Sequence, residues 1–333
     1  MYSCCTAIAM PILHRAQFPD STMPLNKPKR LRPGGTIALV APASPLRDEH
    51  VLHAGICYLE SLGYRIVLGE SLRSADGYLA GTDALRAAEL NAFFSDPTID
   101  AIFCVRGGYG TMRLLDLLDW DSIARSRKIF VGFSDITALQ WALYQRAALP
   151  TVSGLMVAVD FANLDPASEA LFWSLLCEPV AEHVLWHGTP DDCLQPGSAT
   201  GPLMPGTLSL VAALCGTEYM PSLDGCILVL EDIGEEPYRI DRMLCQLALS
   251  GQLRRCSGIA FGTFTEDTTR QSATPRRPVE HIIAEYVVRA GNPPSILHLP
   301  YGHIRGKLSL PVGISATLNA DRSVLMLTES LVD

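Results

Sequence analysis

The chain has 333 residues, of which 48% are hydrophobic and 18% are charged, and its formal net charge at pH 7 is −9. A length of this order predicts two globular domains. A general binder of nucleic acid or of anionic membranes needs a net basic face, and the sequence shows none. We therefore expect neither nucleic acid nor a membrane as a partner.

Cysteine usage and the apolar segments indicate a reducing, aqueous compartment. Most of the ten cysteines lie inside apolar runs, where a reduced cysteine behaves as a small hydrophobe, and no C-x-x-C pair suggests zinc. No apolar run approaches the roughly 18 residues that a membrane span needs. Residues 1–30 lack the basic segment of a secretory signal and predict a poorly ordered extension, so we expect a cytoplasmic protein.

From Thr36 onward the chain alternates short apolar runs with helical patterns, which predicts a parallel sheet with helices on both faces. We assign residues 31–160 to a first domain. Its predicted strands are 36–41, 65–68, 101–105 and 129–133, and its predicted helices are 48–62, 83–94 and 111–118.

A second α/β unit follows a looser stretch. Residues 161–200, where prolines punctuate polar turns, predict an interdomain connection, and residues 201–333 a second domain. The predicted helices there are 207–214, 241–249 and 279–289, and the predicted strands are 226–230, 259–264 and 323–327.

Ser134 lies where the apolar run ending at Gly132 gives way to an amphipathic run that opens at Asp135. In a parallel sheet such a junction faces the crevice at the carboxyl ends of the strands, where ligands bind, and it leaves the first N–H groups of the next helix unpaired. The turn therefore predicts a hydroxyl beside an anion site. A simple helix cap is the structural alternative.

The segment Arg106-Gly-Gly-Tyr-Gly110 directly follows a predicted strand. Glycines at such a turn let the backbone approach a ligand and direct N–H groups at negative charge, although a tight β-α turn needs the same residues. The G-G-x-G spacing differs from the dinucleotide fingerprint, and no acidic residue ends the following strand, so a nicotinamide cofactor is not expected.

Two further junctions carry acid–base groups. Glu231 and Asp232 follow an apolar strand, where a carboxylate could orient a histidine or simply form an acidic turn. His303, in Pro300-Tyr-Gly-His303, is framed by proline and glycine in a predicted loop, which suits either a general base or an exposed histidine.

Together these motifs closely resemble the LD-carboxypeptidases, a serine peptidase family that also contains the microcin C immunity proteins. The resemblance runs from Arg32 to the C-terminus. Its motifs are Pro33-Gly-Gly-Thr-Ile-Ala-Leu-Val-Ala-Pro-Ala-Ser44, Arg106-Gly-Gly-Tyr-Gly110, Gly132-Phe-Ser-Asp135, Leu230-Glu-Asp232 with Tyr238-Arg-Ile-Asp-Arg-Met-Leu244, and Pro300-Tyr-Gly-His303.

The resemblance implies a Rossmann-like N-terminal domain, a C-terminal α/β domain and an active site in the cleft between them. It implies Ser134 as nucleophile, His303 as base and Glu231, rather than Asp232, as the acid that orients the histidine. These types agree with the chemistry, because serine needs an adjacent base and that base needs a partner to fix its tautomer. Ile136 stands where the G-x-S-x-G elbow of α/β-hydrolases requires glycine, so a different fold is expected.

We further predict an oxyanion hole from the backbone N–H groups of Gly108 and Asp135, the two motifs in which the family places it. Arg106 is a candidate for binding a substrate carboxylate, with a structural ion pair as the alternative.

The function implied is release of D-alanine from cytoplasmic murein tetrapeptide, without a metal or an organic cofactor, by a protein that is often a homodimer in this family. The alternatives are a microcin-immunity-type hydrolase of peptidyl or aminoacyl nucleotides, which would need an aromatic platform for the base, and a non-enzymatic binding protein, which would not need all three catalytic residue types.

Overall fold

The computed structural model describes residues 24–265 and 277–333. Of the predicted N-terminal extension, residues 1–23 lie outside the described part. Residues 24–30 lie along the first domain, where the N–H groups of Asn26 and Lys29 donate to the carbonyls of Ala148 and Arg127 at 2.8 and 3.0 Å.

The described residues form two sheets and the helices that cover them. The strands are β1 (Thr36–Val40), β2 (Arg65–Leu68), β3 (Ala101–Cys104), β4 (Ile129–Gly132), β5 (Thr151–Ser153), β6 (His183–His187), β7 (Cys193–Gln195), β8 (Ser198–Thr207), β9 (Ile227–Ile233), β10 (Gly258–Thr265), β11 (Ser295–Ile296), β12 (Leu310–Val312), β13 (Ser315–Asn319) and β14 (Val324–Leu327).

The α-helices are α1 (Glu49–Ser61), α2 (Asp83–Ser95), α3 (Trp120–Arg125), α4 (Thr137–Ala147), α5 (Pro166–Cys177), α6 (Leu208–Leu214), α7 (Pro237–Leu249), α8 (Gln252–Arg255) and α9 (Val279–Ala290). Short 3₁₀ segments occupy Glu70–Arg73, Thr111–Leu117, Ser134–Ile136, Pro190–Asp192 and Ala320–Arg322.

The first sheet has the strand order β12-β5-β4-β3-β1-β2. Strands β1 to β5 run parallel, and every residue of β1, β3 and β4 is buried. Continuous apolar runs of this kind suit parallel strands that are covered on both faces. The predicted two-domain α/β fold with a parallel N-terminal sheet is confirmed.

The second sheet has the strand order β6-β14-β13-β8-β9-β10-β11-β7. Strands β8, β9, β10 and β11 pair in parallel, while the strands outside them pair antiparallel. The parallel part therefore presents its carboxyl ends at one edge, and Glu231 lies near that end of β9.

Helix α4 lies between the two sheets and is buried on almost all sides. Its buried residues include Gln140 and Trp141, and the Trp141 indole N–H donates to the Pro205 carbonyl on β8 at 2.9 Å. The run after Asp135 was predicted to be amphipathic, and that prediction is wrong. Both faces of α4 contact protein, so its sequence carries no polar stripe.

Several predicted boundaries differ from the structure. Residues 111–118 were predicted as a helix but wind as a 3₁₀ segment, Thr111–Leu117. Helix α7 begins at Pro237, earlier than predicted, since proline suits the first helical position. Strand β9 continues through Glu231 and Asp232 instead of ending before them.

One predicted connection contains regular secondary structure, and one strand lies in a different sheet from the one its sequence position suggested. The predicted connection, 161–200, contains helix α5 and strands β6 and β7. Strand β12 belongs to the predicted second domain in sequence but pairs antiparallel with β5 at the edge of the first sheet. The chain therefore crosses between the two sheets more than once.

Candidate active site

Ser134 lies on the turn that joins the buried strand β4 to helix α4. Its φ of 65° is in the left-handed region, which costs a residue with a side chain about 1–2 kcal/mol. The turn packs tightly, because an ideal Cβ on Gly107 would lie 2.9 Å from the Ser134 Cβ. The backbone thus holds Ser134 in a strained conformation at the carboxyl end of the sheet.

A continuous hydrogen-bonded chain joins Ser134, His303 and Glu231. The Ser134 Oγ lies 2.8 Å from His303 Nε2, and His303 Nδ1 lies 2.9 Å from Glu231 Oε2. Glu231 is fully buried, while about 20% of the His303 side chain is exposed. The three residues predicted for catalysis are thus in contact, although 169 positions separate the serine from the histidine.

The two neighbouring carboxylates of β9 face different partners. Glu231 accepts from His303 and from the Thr207 hydroxyl, whereas Asp232 accepts from the backbone N–H groups of Ser209 and Ile233, both at 2.8 Å. Successive side chains of a strand point to opposite faces. Burial, the largest cause, raises the pKa of Asp232 to about 6. Asp232 therefore lies away from His303, at the start of helix α6.

Thr207 is a part of the site that the sequence reasoning missed. It stands opposite Glu231 in the register of the parallel strands β8 and β9, and its Oγ1 donates to Glu231 Oε1 at 2.6 Å. Its own backbone N–H donates to the Thr137 Oγ1 at 3.2 Å. The Gly206-Thr207 end of β8 carried no motif that sequence alone could distinguish from a strand end.

The glycine turn lies against Ser134 on one side and Ser44 on the other. Gly108 has a φ of 125°, and an ideal Cβ there would lie only 2.2 Å from the Ser44 Oγ. That same hydroxyl accepts from the Tyr109 N–H at 3.1 Å. Glycine at 108 thus satisfies both an unusual backbone conformation and a close approach.

Asp135 links the glycine turn to the turn that carries Ser134. Its carboxylate accepts from the Thr111 N–H at 2.9 Å, and its carbonyl accepts from the Thr111 hydroxyl at 2.5 Å. Burial, the largest cause, raises the pKa of the Asp135 carboxyl. The oxyanion hole expected from the N–H groups of Gly108 and Asp135 stays a prediction.

Arg106 begins the glycine turn and is partly buried. Its Nη1 donates to the Pro45 carbonyl at 2.6 Å, and no carboxylate in the described part of the chain forms an ion pair with it. Burial, followed by repulsion from nearby Arg47, lowers the pKa of the Arg106 guanidinium. The structural ion pair considered for Arg106 does not occur among these residues.

Lys307 is a buried cation near His303 that the sequence reasoning also missed. The Lys307 Nζ forms a 2.6 Å ion pair with Asp160 and lies 5.2 Å from the centroid of the Phe133 ring. Phe133 in turn contacts the His303 ring, at a centroid distance of 4.8 Å. The Phe133 ring is therefore close to both the Lys307 ammonium and the imidazole.

A basic cavity of about 490 Å³ lies elsewhere, at the amino ends of β3 and β4. Its lining includes Lys29, Arg125 and Lys128 but none of the residues around Ser134. The cavity and the Ser134 turn lie at opposite ends of β4, whose four residues span about 13 Å. In the described residues we find no cluster of three metal-ligating side chains and no helix long and apolar enough to cross a membrane.

Comparison with known proteins assigns the chain to a family. Residues 37–154 match the LD-carboxypeptidase N-terminal domain, and residues 200–318 match the LD-carboxypeptidase C-terminal domain. The murein tetrapeptide carboxypeptidase of Pseudomonas aeruginosa is 36% identical over 299 residues, which are 86% of this chain and 94% of that protein.

Solved structures agree with these matches. The muramoyltetrapeptide carboxypeptidase from Oxalobacter formigenes is 30% identical with a TM-score of 0.76, covering 88% of this chain and 97% of that one. A microcin C7 self-immunity protein shares the fold at 23% identity, with a TM-score of 0.84 over 93% of this chain and 100% of that one. The chain therefore belongs to the LD-carboxypeptidase family of peptidases, as its motifs predicted.

Proposed function

We propose that the protein is a serine carboxypeptidase that releases D-alanine from murein tetrapeptide in the cytoplasm, during cell-wall recycling. The observation that carries this proposal is the hydrogen-bonded chain from Ser134 through His303 to Glu231. The murein peptide activities named for the relatives from P. aeruginosa and O. formigenes support the substrate.

In the first half of the reaction the Ser134 Oγ attacks the carbonyl carbon of the scissile amide, and His303 Nε2 takes the hydroxyl proton. Negative charge passes to the carbonyl oxygen, which accepts hydrogen bonds from the N–H groups of Gly108 and Asp135. Loss of one such donor typically costs about 10²- to 10³-fold in rate. The carbon–nitrogen bond then breaks, and His303 returns the proton to the amine of the departing D-alanine.

In the second half a water molecule attacks the ester on Ser134. His303 takes a proton from this water and gives it to the Ser134 oxygen, so that the peptide leaves as a carboxylic acid, which then loses its remaining proton to solvent. Glu231 holds the Nδ1–H of His303 and stabilises the imidazolium that forms. The cycle needs no electron donor and no metal ion.

Arg106 supplies the charge that selects a terminal amino acid. Its guanidinium lies at the start of the turn that carries Gly108, and its described hydrogen bond leaves other N–H groups unused. A free carboxylate is a fitting partner, because charge-assisted hydrogen bonds to arginine are strong and directional. A substrate with an amidated C-terminus would lack the carboxylate and could not form this charged contact with Arg106.

Purified protein incubated with murein tetrapeptide should release free D-alanine, and Ser134→Ala should abolish the release without unfolding the protein. EDTA should leave the wild-type rate unchanged. Substantial activity in the serine variant, or inactivation by EDTA, would favour a metal mechanism instead.

The second candidate is a hydrolase of peptidyl or aminoacyl nucleotides. This candidate needs an aromatic platform for the base; Tyr78 and Tyr109 are exposed rings at the glycine turn, but they meet edge to face instead of as a parallel slot. Comparison of kcat/KM for murein tetrapeptide, its amidated analogue and an aminoacyl-sulfamoyl adenylate separates the two candidates, since each difference reports lost transition-state stabilisation. Faster turnover of the adenylate would reverse our ranking. The homodimer implied by the family stays a prediction.

A further inference from the structure

Tyr78 and Tyr109 form an exposed aromatic pair that the proposed mechanism does not use. About 65% of Tyr78 and 53% of Tyr109 are exposed, and their rings meet edge to face, with centroids 5.4 Å apart and an interplanar angle of 72°. Tyrosine combines a rigid apolar ring with a polar tip, which is why it is enriched where proteins bind ligands. The pair is thus an available surface for a partly apolar ligand.

The pair is close to the reaction centre. Tyr109 follows Gly108 directly, and Gly107 packs against Ser134. Two residues span at most about 7.6 Å between Cα atoms, so the Tyr109 backbone lies within that distance of Gly107. The Tyr78 ring contacts the Tyr109 ring and so belongs to the same surface. A peptide bound at Ser134 is long enough to reach this surface.

The backbone holds both tyrosines in place. The turn that carries Tyr78 is closed by reciprocal hydrogen bonds between Asp76 and Leu79, at 2.8 and 3.0 Å. Leu79 packs against the glycine turn, because an ideal Cβ on Gly110 would lie 2.5 Å from its Cδ2. The buried Arg86 guanidinium also donates to the Gly110 carbonyl, at 3.2 Å. The backbone that carries the two rings is therefore held in place by protein contacts.

The glycine turn has chemically different ends. Arg106 stands at its start, with the positive charge of Arg47 nearby, and Tyr109 stands at its other end. Gly108, the proposed oxyanion donor, lies between them. In a carboxypeptidase substrate the departing residue bears the free carboxylate, so it belongs at the arginine end. The rest of the peptide then extends over the tyrosines.

We propose that Tyr78 and Tyr109 form the acyl-side subsite, which binds the peptide preceding the scissile bond and makes the enzyme prefer longer peptides. This inference rests on the proposed carboxypeptidase function. The edge-to-face arrangement favours a peptide over a base, because rings at 72° make a corner rather than a parallel slot. Methyl and methylene groups of a peptide fill such a corner, and its amides can reach the phenol hydroxyls.

The test compares two substrates with the same scissile bond, murein tetrapeptide and the dipeptide that contains only its last two residues. Binding energy from remote parts of a substrate appears in kcat/KM. We expect wild type to prefer the tetrapeptide, and Tyr78→Ala and Tyr109→Ala each to lower the tetrapeptide-to-dipeptide ratio of kcat/KM about 10-fold, the usual size for an aromatic anchor. Tyr109→Phe keeps the ring and should keep most of the ratio.

Tyr238→Ala is the matched control, since Tyr238 is also an exposed tyrosine, 56% accessible, but lies on helix α7. It should leave the ratio unchanged. Equal losses on both substrates in the Tyr78 and Tyr109 variants would show a general disturbance of the turn and overturn the subsite. A wild-type enzyme that cleaves both peptides without length preference would overturn it as well. Failure to cleave either peptide would instead overturn the proposed function, and the subsite with it.

Discussion

Replacement of Glu231 and of its neighbour Asp232 tests which of the two carboxylates of β9 serves catalysis. Glu231→Gln preserves the size of a fully buried side chain but removes its charge. Asp232→Asn makes the same kind of change one residue along the strand, on a side chain that accepts from Ser209 and Ile233 instead. The two variants are therefore matched in chemistry and differ in the face of β9 they alter.

Glu231 accepts from His303 at 2.9 Å and from Thr207 at 2.6 Å. A Gln amide oxygen can still accept from Thr207, so the transition state loses mainly the charged hydrogen bond to His303, which contributes about 1.5–3 kcal/mol. At 1.36 kcal/mol per tenfold, Glu231→Gln should lower kcat by about 10- to 10²-fold. Asp232→Asn should stay within about threefold of wild type, because an amide oxygen still accepts one backbone N–H.

The assay is D-alanine release from murein tetrapeptide at saturating substrate, with circular dichroism to show that each variant is folded. Similar losses in the two variants, or a larger loss in Asp232→Asn, would refute the assignment of Glu231 as the residue that orients His303. A Glu231→Gln enzyme with nearly wild-type kcat would refute the need for a charged partner on the imidazole.

Three other outcomes follow from the same geometry. Because burial raises the pKa of Asp232 to about 6, the folded state holds this proton more tightly than the unfolded one. The free energy of unfolding should therefore fall by about 2–3 kcal/mol as pH rises from 4 to 6, a slope that denaturant titration should find missing in Asp232→Asn. Ser134→Gly should be inactive like Ser134→Ala. Its free energy of unfolding in urea should exceed that of Ser134→Ala by about 1 kcal/mol, because glycine relieves the strain of a φ of 65°. Equal free energies of unfolding in the two variants would argue against strain. Gly108→Ala should lower kcat/KM at least 10²-fold because its Cβ would overlap Ser44, whereas Gly63→Ala, also at positive φ but in open space, should lose only stability; equal activity losses would contradict this reading.

Local sequence was enough to place the nucleophile turn. An apolar run ending at Gly132, followed by Ser134 and Asp135, has the form of a strand that delivers a side chain to the carboxyl edge of a parallel sheet, and the structure has this arrangement. The choice between Glu231 and Asp232, by contrast, could not be made from local sequence. Strand alternation puts the two on opposite faces, but which face meets His303 depends on how β9 docks against the distant loop at 300–303.

The missed features share a physical cause, which is that tertiary contacts outweigh local pattern. Helix α4 has no amphipathic period because both sheets contact it. Strand β12 is three residues long and contains Pro311, which a sheet accepts at its edge, where a missing N–H leaves no partner unpaired. Thr207 acts through its register with Glu231, and register between distant parallel strands cannot be obtained from either strand alone.

Thr207 also explains how residues from two sheets keep one geometry. Its backbone N–H donates to Thr137, in the first turn of the helix that follows Ser134, and its hydroxyl donates to Glu231, which holds His303. One residue is thus bonded to the helix that follows Ser134 and to the carboxylate that contacts His303. Catalytic groups must stay within about 0.5 Å of their productive positions. The positional link through Thr207 therefore matters more than the strength of either hydrogen bond. The alignment of Ser134 with His303 therefore depends on the packing of β8 against α4, and substitutions there should affect catalysis through geometry.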